Sequence, residues 1–569
     1  MYGKLYSACI YGIDGILIEV EVDLASGIPQ TNVVGLPDSA VREAVERVRA
    51  AIKNCGYSFP LQRVTINLAP AGLRKEGSAF DLAIALGLLT ASDQIALPEK
   101  ERLLIIGELS LDGAVRPVPG VLSMVDLAKR NGFHAVLVPA DNAEEASLLK
   151  DIKVYGLHHL SDLAAGASVD QPNPTDPSEQ KEQTNLSFKI IQTYHKKSAL
   201  NEPLQVNLES LKHIANSQAE AKNEKENRLQ IIEPDQQKLQ ATSRENYSDV
   251  LGQRHVKRAL TIAAAGMHNI MLIGPPGTGK TMLLRRIPTI MPKLSPSESL
   301  DVTKIYSSAG KFNQSKPGLI VNRPFRSPHH SISSAGLIGG GSLPKPGEVS
   351  LAHHGVLFLD ELPEFSRHVL EMLRQPLEER VVSISRSRAS FTFPAHFLLA
   401  VSLNPCPCGF YGADPELARR CTCSPFRIAQ YRERISGPLL DRIDMHVEVP
   451  RPSNLKIELT PLSSEEMKID VEKAVQIQSD RFQDCSYSRN CELSGADLRK
   501  FAQISPDARD VLNCSFEALG LSLRAYDRII KLSRTIADMD SAEWITPSHI
   551  AEAVQYRQLD RKPEDLSLQ

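Results

Sequence analysis

Two short segments hold the residues best suited to chemistry. Gly274-Pro275-Pro276-Gly277-Thr278-Gly279-Lys280-Thr281 follows the apolar run Ile270-Met271-Leu272-Ile273 and precedes a helical pattern opened by Met282-Leu283-Leu284. Strand, glycine-rich turn and helix is the context in which G-x-x-x-x-G-K-[ST] becomes a phosphate site. Glycines let backbone N–H groups wrap an anion, and the helix N-terminus adds its positive end. Lys280 is expected to reach the β- and γ-phosphates and the Thr281 hydroxyl to ligate Mg²⁺. A second apolar strand, Gly355-Val356-Leu357-Phe358-Leu359, ends in Asp360-Glu361. Asp360 supplies a magnesium carboxylate, and Glu361 a base to orient the attacking water. A chance glycine loop would not come with that second strand. The pair of segments predicts hydrolysis of a nucleoside triphosphate, with ATP and Mg²⁺ bound.

Four thiols form a second group. Cys406-Pro407-Cys408 and Cys421-Thr422-Cys423 are two C-x-C pairs with twelve residues between them. Tetrahedral Zn²⁺ takes four thiolates, and a turn at Gly409-Phe410-Tyr411-Gly412 lets the pairs converge. This spacing is less diagnostic than two C-x-x-C pairs; free reduced thiols and a redox role are the other readings. A closed four-sulfur site leaves no open position, so zinc there is expected to be structural. Arginines form a third group: Arg380, Arg386 and Arg388 crowd a segment whose flanks, Val381 to Ile384 and Ser390 to Phe393, alternate as a hairpin does. Its turn is expected to expose them, either as a plain solvated face or as a contact for nucleic acid.

The elements that must position these groups divide the 569 residues into several domains, because single cores rarely grow past roughly 250–300 residues. Residues 1–167 mix β-rich runs, such as Ile16–Val22 and Arg63–Leu68, with an amphipathic helix over Ser39–Ile52. Residues 168–246 turn polar and apolar-poor and read as a mostly disordered linker, with a surface helix around Leu208–Lys225 as an option. A phosphate-site core follows at 247–455. A helical segment at 456–569 closes the chain, with Thr546-Pro547 as a helix start. No apolar run approaches the roughly 20 residues needed to cross a bilayer, and Asp14 and Glu19 interrupt any leader-like pattern. A cytoplasmic protein with no membrane partner is expected. The net charge of −3 leaves nucleic-acid binding to local basic patches. The nine cysteines, four clustered and five scattered, do not resemble a disulfide framework.

Further signatures give a resemblance. Phe325-Arg326-Ser327-Pro328-His329-His330, Gly339-Gly340-Gly341 leading to Pro346-Gly347-Glu348-Val349-Ser350-Leu351-Ala352-His353, Ser436-Gly437-Pro438-Leu439-Leu440-Asp441-Arg442-Ile443-Asp444 and Arg524-Ala525-Tyr526-Asp527-Arg528 stand in order along the chain. Together with the phosphate loop they resemble the ComM/YifB family of magnesium-chelatase-like AAA+ ATPases, over all but the linker. The resemblance implies an α/β fold: an AAA+ P-loop core with a helical lid, preceded by a Lon-protease-like (ribosomal S5 domain 2-like) α+β domain. It implies that Asn404, at the end of the strand Phe397–Leu403, helps hold the attacking water. It makes Arg442 an arginine finger for the next subunit, against the alternative of an internal ion pair with Asp441 or Asp444. It places Arg524 as a second sensor on a lid helix, and Gly252-Gln253 beside the adenine. The arginine hairpin and the glycine loop Gly336–Gly341 become pore elements.

In the N-terminal domain, Ala71–Asp81 and Gly107–Gly113 resemble the Lon protease fold, but the nucleophile position falls on Ala79 or Phe80 and the lysine position near Leu122. Ser78 is a possible register shift with no matching lysine after it. A catalytically dead module is expected, serving DNA contact or oligomer support. The implied function is an ATP-driven hexameric helicase or branch-migration factor on single-stranded or branched DNA, acting in natural transformation or recombination. The alternatives are a magnesium-chelatase-type ATPase subunit and a protein-remodelling ATPase.

Overall fold

In the computed structural model the described residues are 1–165 except 76, then 204–206, 208, and 245–557 except 313–317, 342–343, 387–388, 413–420, 452–460 and 486. Most of the expected linker, including its optional helix beyond Leu208, lies outside them. The chain divides into two units, Met1–Ile232 with Thr303–Leu319, and Glu233–Val302 with Ile320–Gln569.

The first unit is built on a seven-stranded mixed sheet. Its strands are β1 (Tyr2–Tyr11), β2 (Asp14–Ala25), β3 (Gln30–Val34), β4 (Arg63–Ala69), β5 (Leu103–Ile105), β6 (Ala135–Pro139) and β7 (Lys153–Leu157), in the order β7-β6-β5-β1-β2-β4-β3. β1 and β2 form an antiparallel hairpin, whereas β3 and β4 run parallel and need the crossover helix α1 (Ser39–Asn54) between them. Asp38 caps α1 by accepting the Val41 N–H at 2.7 Å, and Val41, Ala44, Val45, Val48 and Ile52 bury its apolar stripe. Helix α2 (Asp81–Ala91) is apolar almost all round and is correspondingly buried. Residues 303–312, which the sequence places inside the phosphate-site core, belong to this unit. Lys304 donates to Asp126 at 2.5 Å and the Ser307 hydroxyl to Glu145, two buried contacts within this unit.

Where a Lon-type dyad would act, this unit has none among the described residues. Ala79 is half-buried, and Phe80 and Leu122 are buried. The Ser78 hydroxyl donates to Glu108, and the Lys75 ammonium is spent on the backbone carbonyls of Pro70 and Leu73.

The second unit holds the phosphate loop. After helix α3 (Arg254–Gly266) come β8 (Ile270–Ile273), helix α4 (Lys280–Arg285), β9 (Phe325–Arg326) and β10 (Val356–Leu359). The hairpin β11 (Val381–Arg386) and β12 (Ala389–Pro394) precedes β13 (Leu398–Leu403), helix α5 (Pro425–Arg432) and β14 (Met445–Glu448). The main sheet runs β9-β10-β13-β8-β14 with every neighbour parallel. Parallel strands covered on both faces must be apolar throughout, and β8, β10 and β13 are buried along their whole length. The C-terminal helices α6 (Ser464–Arg481), α7 (Pro506–Leu519), α8 (Leu523–Met539) and α9 (Pro547–Gln555) share one apolar core with the sheet. Ile529, Leu532 and Ile536 of α8 meet the same cluster as Leu260 and Ile270, so the helical segment and the core form a single unit.

Candidate nucleotide-hydrolysis site

The loop between β8 and α4 is shaped for an anion. Gly277 and Gly279 have φ of +79° and +86°, in the left-handed region that strains a side-chain-bearing residue. A Cβ on Gly274 would lie 2.3 Å from the Val449 carbonyl oxygen, so only glycine lets this strand end approach β14. Lys280 opens α4 with its side chain drawn inward. Its ammonium donates to the carbonyls of Gly274 (2.7 Å) and Pro275 (2.9 Å) and to Asn404 Oδ1 (3.2 Å). Burial pulls its pKa down, and the Asp360 and Glu361 carboxylates oppose that shift only in part.

Strand order explains how distant residues meet here. β13 lies between β8 and β10, so Asn404 at its end falls between the phosphate loop and Asp360-Glu361. Thr281 Oγ1 donates to the Asp360 carboxylate at 3.1 and 3.3 Å, which brings the two oxygen ligands expected of a Mg²⁺ together. Glu361 is exposed, with φ of +54°. Such a conformation in a non-glycine residue costs on the order of 1–3 kcal/mol and persists where surrounding bonds hold it. Ser402 is the holder: its hydroxyl donates to Asp360 and accepts the Glu361 N–H at 3.3 Å. In the sequence Ser402 is only part of an apolar strand. Its one sequence signal is a lone hydroxyl in the otherwise apolar run Leu398–Leu403. Gln253 Nε2 donates to the Pro450 carbonyl at 2.8 Å, while its buried Oε1 accepts from no donor among the described residues.

The four cysteines converge. Their sulfurs all lie within 4.8 Å of one another. The turn after Cys408 sits on the phosphate loop, since a Cβ on Gly409 would come within 2.5 Å of Pro276 Cδ.

Arg442 stands elsewhere. With Arg524 it lines a cavity of about 440 Å³ whose walls include Asn269, Glu378, Asp444 and Arg528 but none of residues 274–281. Neither Asp441 nor Asp444 holds it. Its guanidinium pairs with Glu378 and donates to the Pro438 carbonyl at 2.7 Å, leaving Nε buried and unpartnered. Asp444 is taken by Arg528 and by the Asn269 N–H at 2.8 Å. Arg524 is therefore gathered with Arg442, not with Lys280.

Arg380 corrects the hairpin reading. It precedes β11 at the base of the hairpin, with φ of +58°, and pairs with Glu492 at 3.1 Å while donating to the Cys491 carbonyl. A carboxylate from the helical segment captures it, so it is not one of the arginines at the turn. Arg386 closes the ladder opposite Ala389; Arg388 lies outside the described residues.

Family models for magnesium chelatase, subunit ChlI, match residues 246–457, and models for subunit ChlI of Mg-chelatase and for the ChlI C-terminal region match 20–142 and 461–557. The Competence protein ComM of Haemophilus influenzae is 37% identical over 569 residues, covering 99% of both chains. YifB of Escherichia coli is 37% identical over 98% of this chain and 97% of its own. The Magnesium-chelatase 38 kDa subunit of Cereibacter sphaeroides is 22% identical over 56% of this chain and 93% of its own. The chain belongs to the ComM/YifB family of magnesium-chelatase-like AAA+ ATPases.

Two of the family signatures meet in space. Arg326, at the end of β9, pairs bidentately with Glu348 at 2.5 and 2.9 Å, which ties the histidine-bearing loop to the segment before β10. Membership carries ATPase chemistry with Mg²⁺, and the residues above fit it: Lys280 and the loop N–H groups for the phosphates, Thr281 and Asp360 for the metal. Among the described residues no helix is long and apolar enough to cross a membrane.

Proposed function

We propose that the chain is an ATP-driven motor that closes head-to-tail into a ring, most simply a hexamer, and moves single-stranded or branched DNA. The observation that carries this is the separation of Arg442 and Arg524 from the phosphate loop. A cationic pair lining its own cavity, with none of residues 274–281 in the wall, has no γ-phosphate of its own subunit to act on. A repeated heterologous contact would bring that cavity to a neighbour's loop, and such contacts close into rings. Within one site, Lys280 neutralises phosphate charge, Asp360 and Thr281 hold Mg²⁺, and Glu361 orients water with Asn404 beside it. The finger then stabilises charge developing in the transition state.

DNA as substrate rests on the arginine hairpin and on the family's competence-named member. We extend to this chain a role in natural transformation or recombination, with a non-proteolytic N-terminal unit supporting the ring or the DNA. Metal insertion into a tetrapyrrole is the lesser reading: identity to the chelatase subunit is 22% over 56% of the chain, against 37% over nearly all of it for ComM.

The test mixes inactive protomers. Arg442→Ala should bind nucleotide almost normally and turn over about 10³-fold more slowly. Mixing it with Lys280→Ala should restore part of the rate, because some interfaces then pair an intact loop with an intact finger. A monomer with full activity at high dilution, indifferent to Arg442→Ala, refutes the ring. Hydrolysis unaffected by single-stranded, duplex or branched DNA refutes the DNA motor.

A further inference from the structure

Cys406 is buried, but Cys408, Cys421 and Cys423 are partly exposed, so the four do not gather as core-filling hydrophobes. Their spacing is that of a coordination shell. Cys406 Sγ lies 3.3 Å from Cys408 and 3.8 Å from Cys421, and Cys408 lies 3.6 Å from Cys421. A disulfide requires about 2.05 Å. With Zn–S near 2.3 Å, the edges of a four-sulfur tetrahedron are about 3.8 Å. An iron–sulfur cluster has several metal ions between its thiolates, and 4.8 Å across the whole set leaves room for one.

The same segment braces the hydrolysis site from two sides. Cys406 is two residues beyond Asn404, whose amide oxygen takes the Lys280 ammonium. The C-x-C turn closes with the Gly409 N–H donating to the Cys406 carbonyl at 2.9 Å, and Gly409 rests on Pro276 of the phosphate loop. The second pair leads directly into α5, which returns to the same place. Arg432 Nε donates to the Pro405 carbonyl at 3.4 Å. One ion at the four sulfurs would lock strand end, turn and helix start together.

We propose that Cys406, Cys408, Cys421 and Cys423 bind one Zn²⁺, and that this ion holds Asn404 and Pro276 in place so that ATP turnover depends on its occupancy. The second half rests on the ATPase reading above; the first half stands without it. The cysteines and Gly409 are positioning residues that act on the reaction through Asn404 and Pro276.

The full-length chain, purified without chelator, should contain one zinc per chain by elemental analysis. No zinc with four freely titrating thiols, or stoichiometric iron in its place, overturns the site. The Cys421→Ser/Cys423→Ser variant should lose the zinc, bind a fluorescent ATP analogue within about threefold of the parent, and turn over about 10²-fold more slowly, the scale of a small misplacement of reacting groups. A metal-free variant with parental kcat overturns the coupling. Should that variant fail to fold, Gly409→Ala decides: it keeps all four thiols but drives a methyl onto Pro276. Retained zinc with a reduced kcat and little change in KM supports the coupling, and retained zinc with an unchanged kcat overturns it. A parent chain that holds zinc but hydrolyses no ATP would sink the ATPase reading and leave the metal site standing.

Discussion

Replacing Ser402 with alanine removes the link between Asp360 and Glu361. The Ser402 hydroxyl donates to the Asp360 carboxylate and accepts the Glu361 N–H. A hydrogen bond to a charged group contributes about 1.5–3 kcal/mol and a neutral one about 0.5–1.5 kcal/mol. The new methyl fits the buried strand and recovers part of that, so the second unit should lose about 2–3 kcal/mol of stability. The larger effect falls on catalysis. Glu361 occupies a left-handed backbone conformation and, without its N–H acceptor, should relax and swing its carboxylate off the attacking water. Turnover should drop about 10²-fold, while nucleotide affinity changes little because Lys280 and Thr281 are untouched. Urea unfolding followed by the second unit's signal measures the first effect. Steady-state hydrolysis beside equilibrium binding of a fluorescent ATP analogue measures the second. A Ser402→Ala protein within twofold of parental kcat would show that Glu361 is positioned by something else.

Other perturbations follow from the same geometry. Lys280→Ala should abolish productive ATP binding, whereas Glu361→Gln should keep binding and stop hydrolysis; parental turnover by Glu361→Gln would contradict its role. Burial holds His268 and His354 down to about 4 and His396 to about 3, against partial opposition from Asp444 and Glu298. A histidine with a folded pKa below its unfolded value of about 6.5 stabilises fully above that pH and loses the contribution as pH falls toward the folded value. Each should cost about 2 kcal/mol by pH 5, so the urea midpoint should fall steeply from pH 6.5 downward; a flat midpoint to pH 4.5 would exclude it. Arg380→Ala should leave Glu492 Oε2 without its guanidinium, while Oε1 keeps Ser488 and Arg489, and lower stability by about 1–2 kcal/mol without altering the salt slope of DNA binding. Arg386→Ala and Arg388→Ala should each reduce that slope by about one. A slope change confined to Arg380→Ala would reverse the assignment.

The sequence by itself determined whatever depends on local order. The glycines, Lys280 and Thr281 must follow one another in the turn between β8 and α4, and the alternation in β2, β4 and the hairpin follows from a side-chain period of two. Asp360-Glu361 at a strand end, the helix over Ser39–Asn54 and the Thr546-Pro547 start of α9 are equally local. Tertiary structure alone decided the rest, because it concerns residues far apart in the chain that share one place. Only the strand order sets Asn404 between Lys280 and Asp360, and only the buried pairing of β13 with β10 turns Ser402 into a clamp. Spacing cannot report that Glu378, 64 residues before Arg442, takes its guanidinium, or that Glu492, 112 residues after Arg380, removes that arginine from the hairpin turn. Charge pairs form where folding leaves two opposite groups adjacent and partly dry, and neither condition is written in the order of the residues.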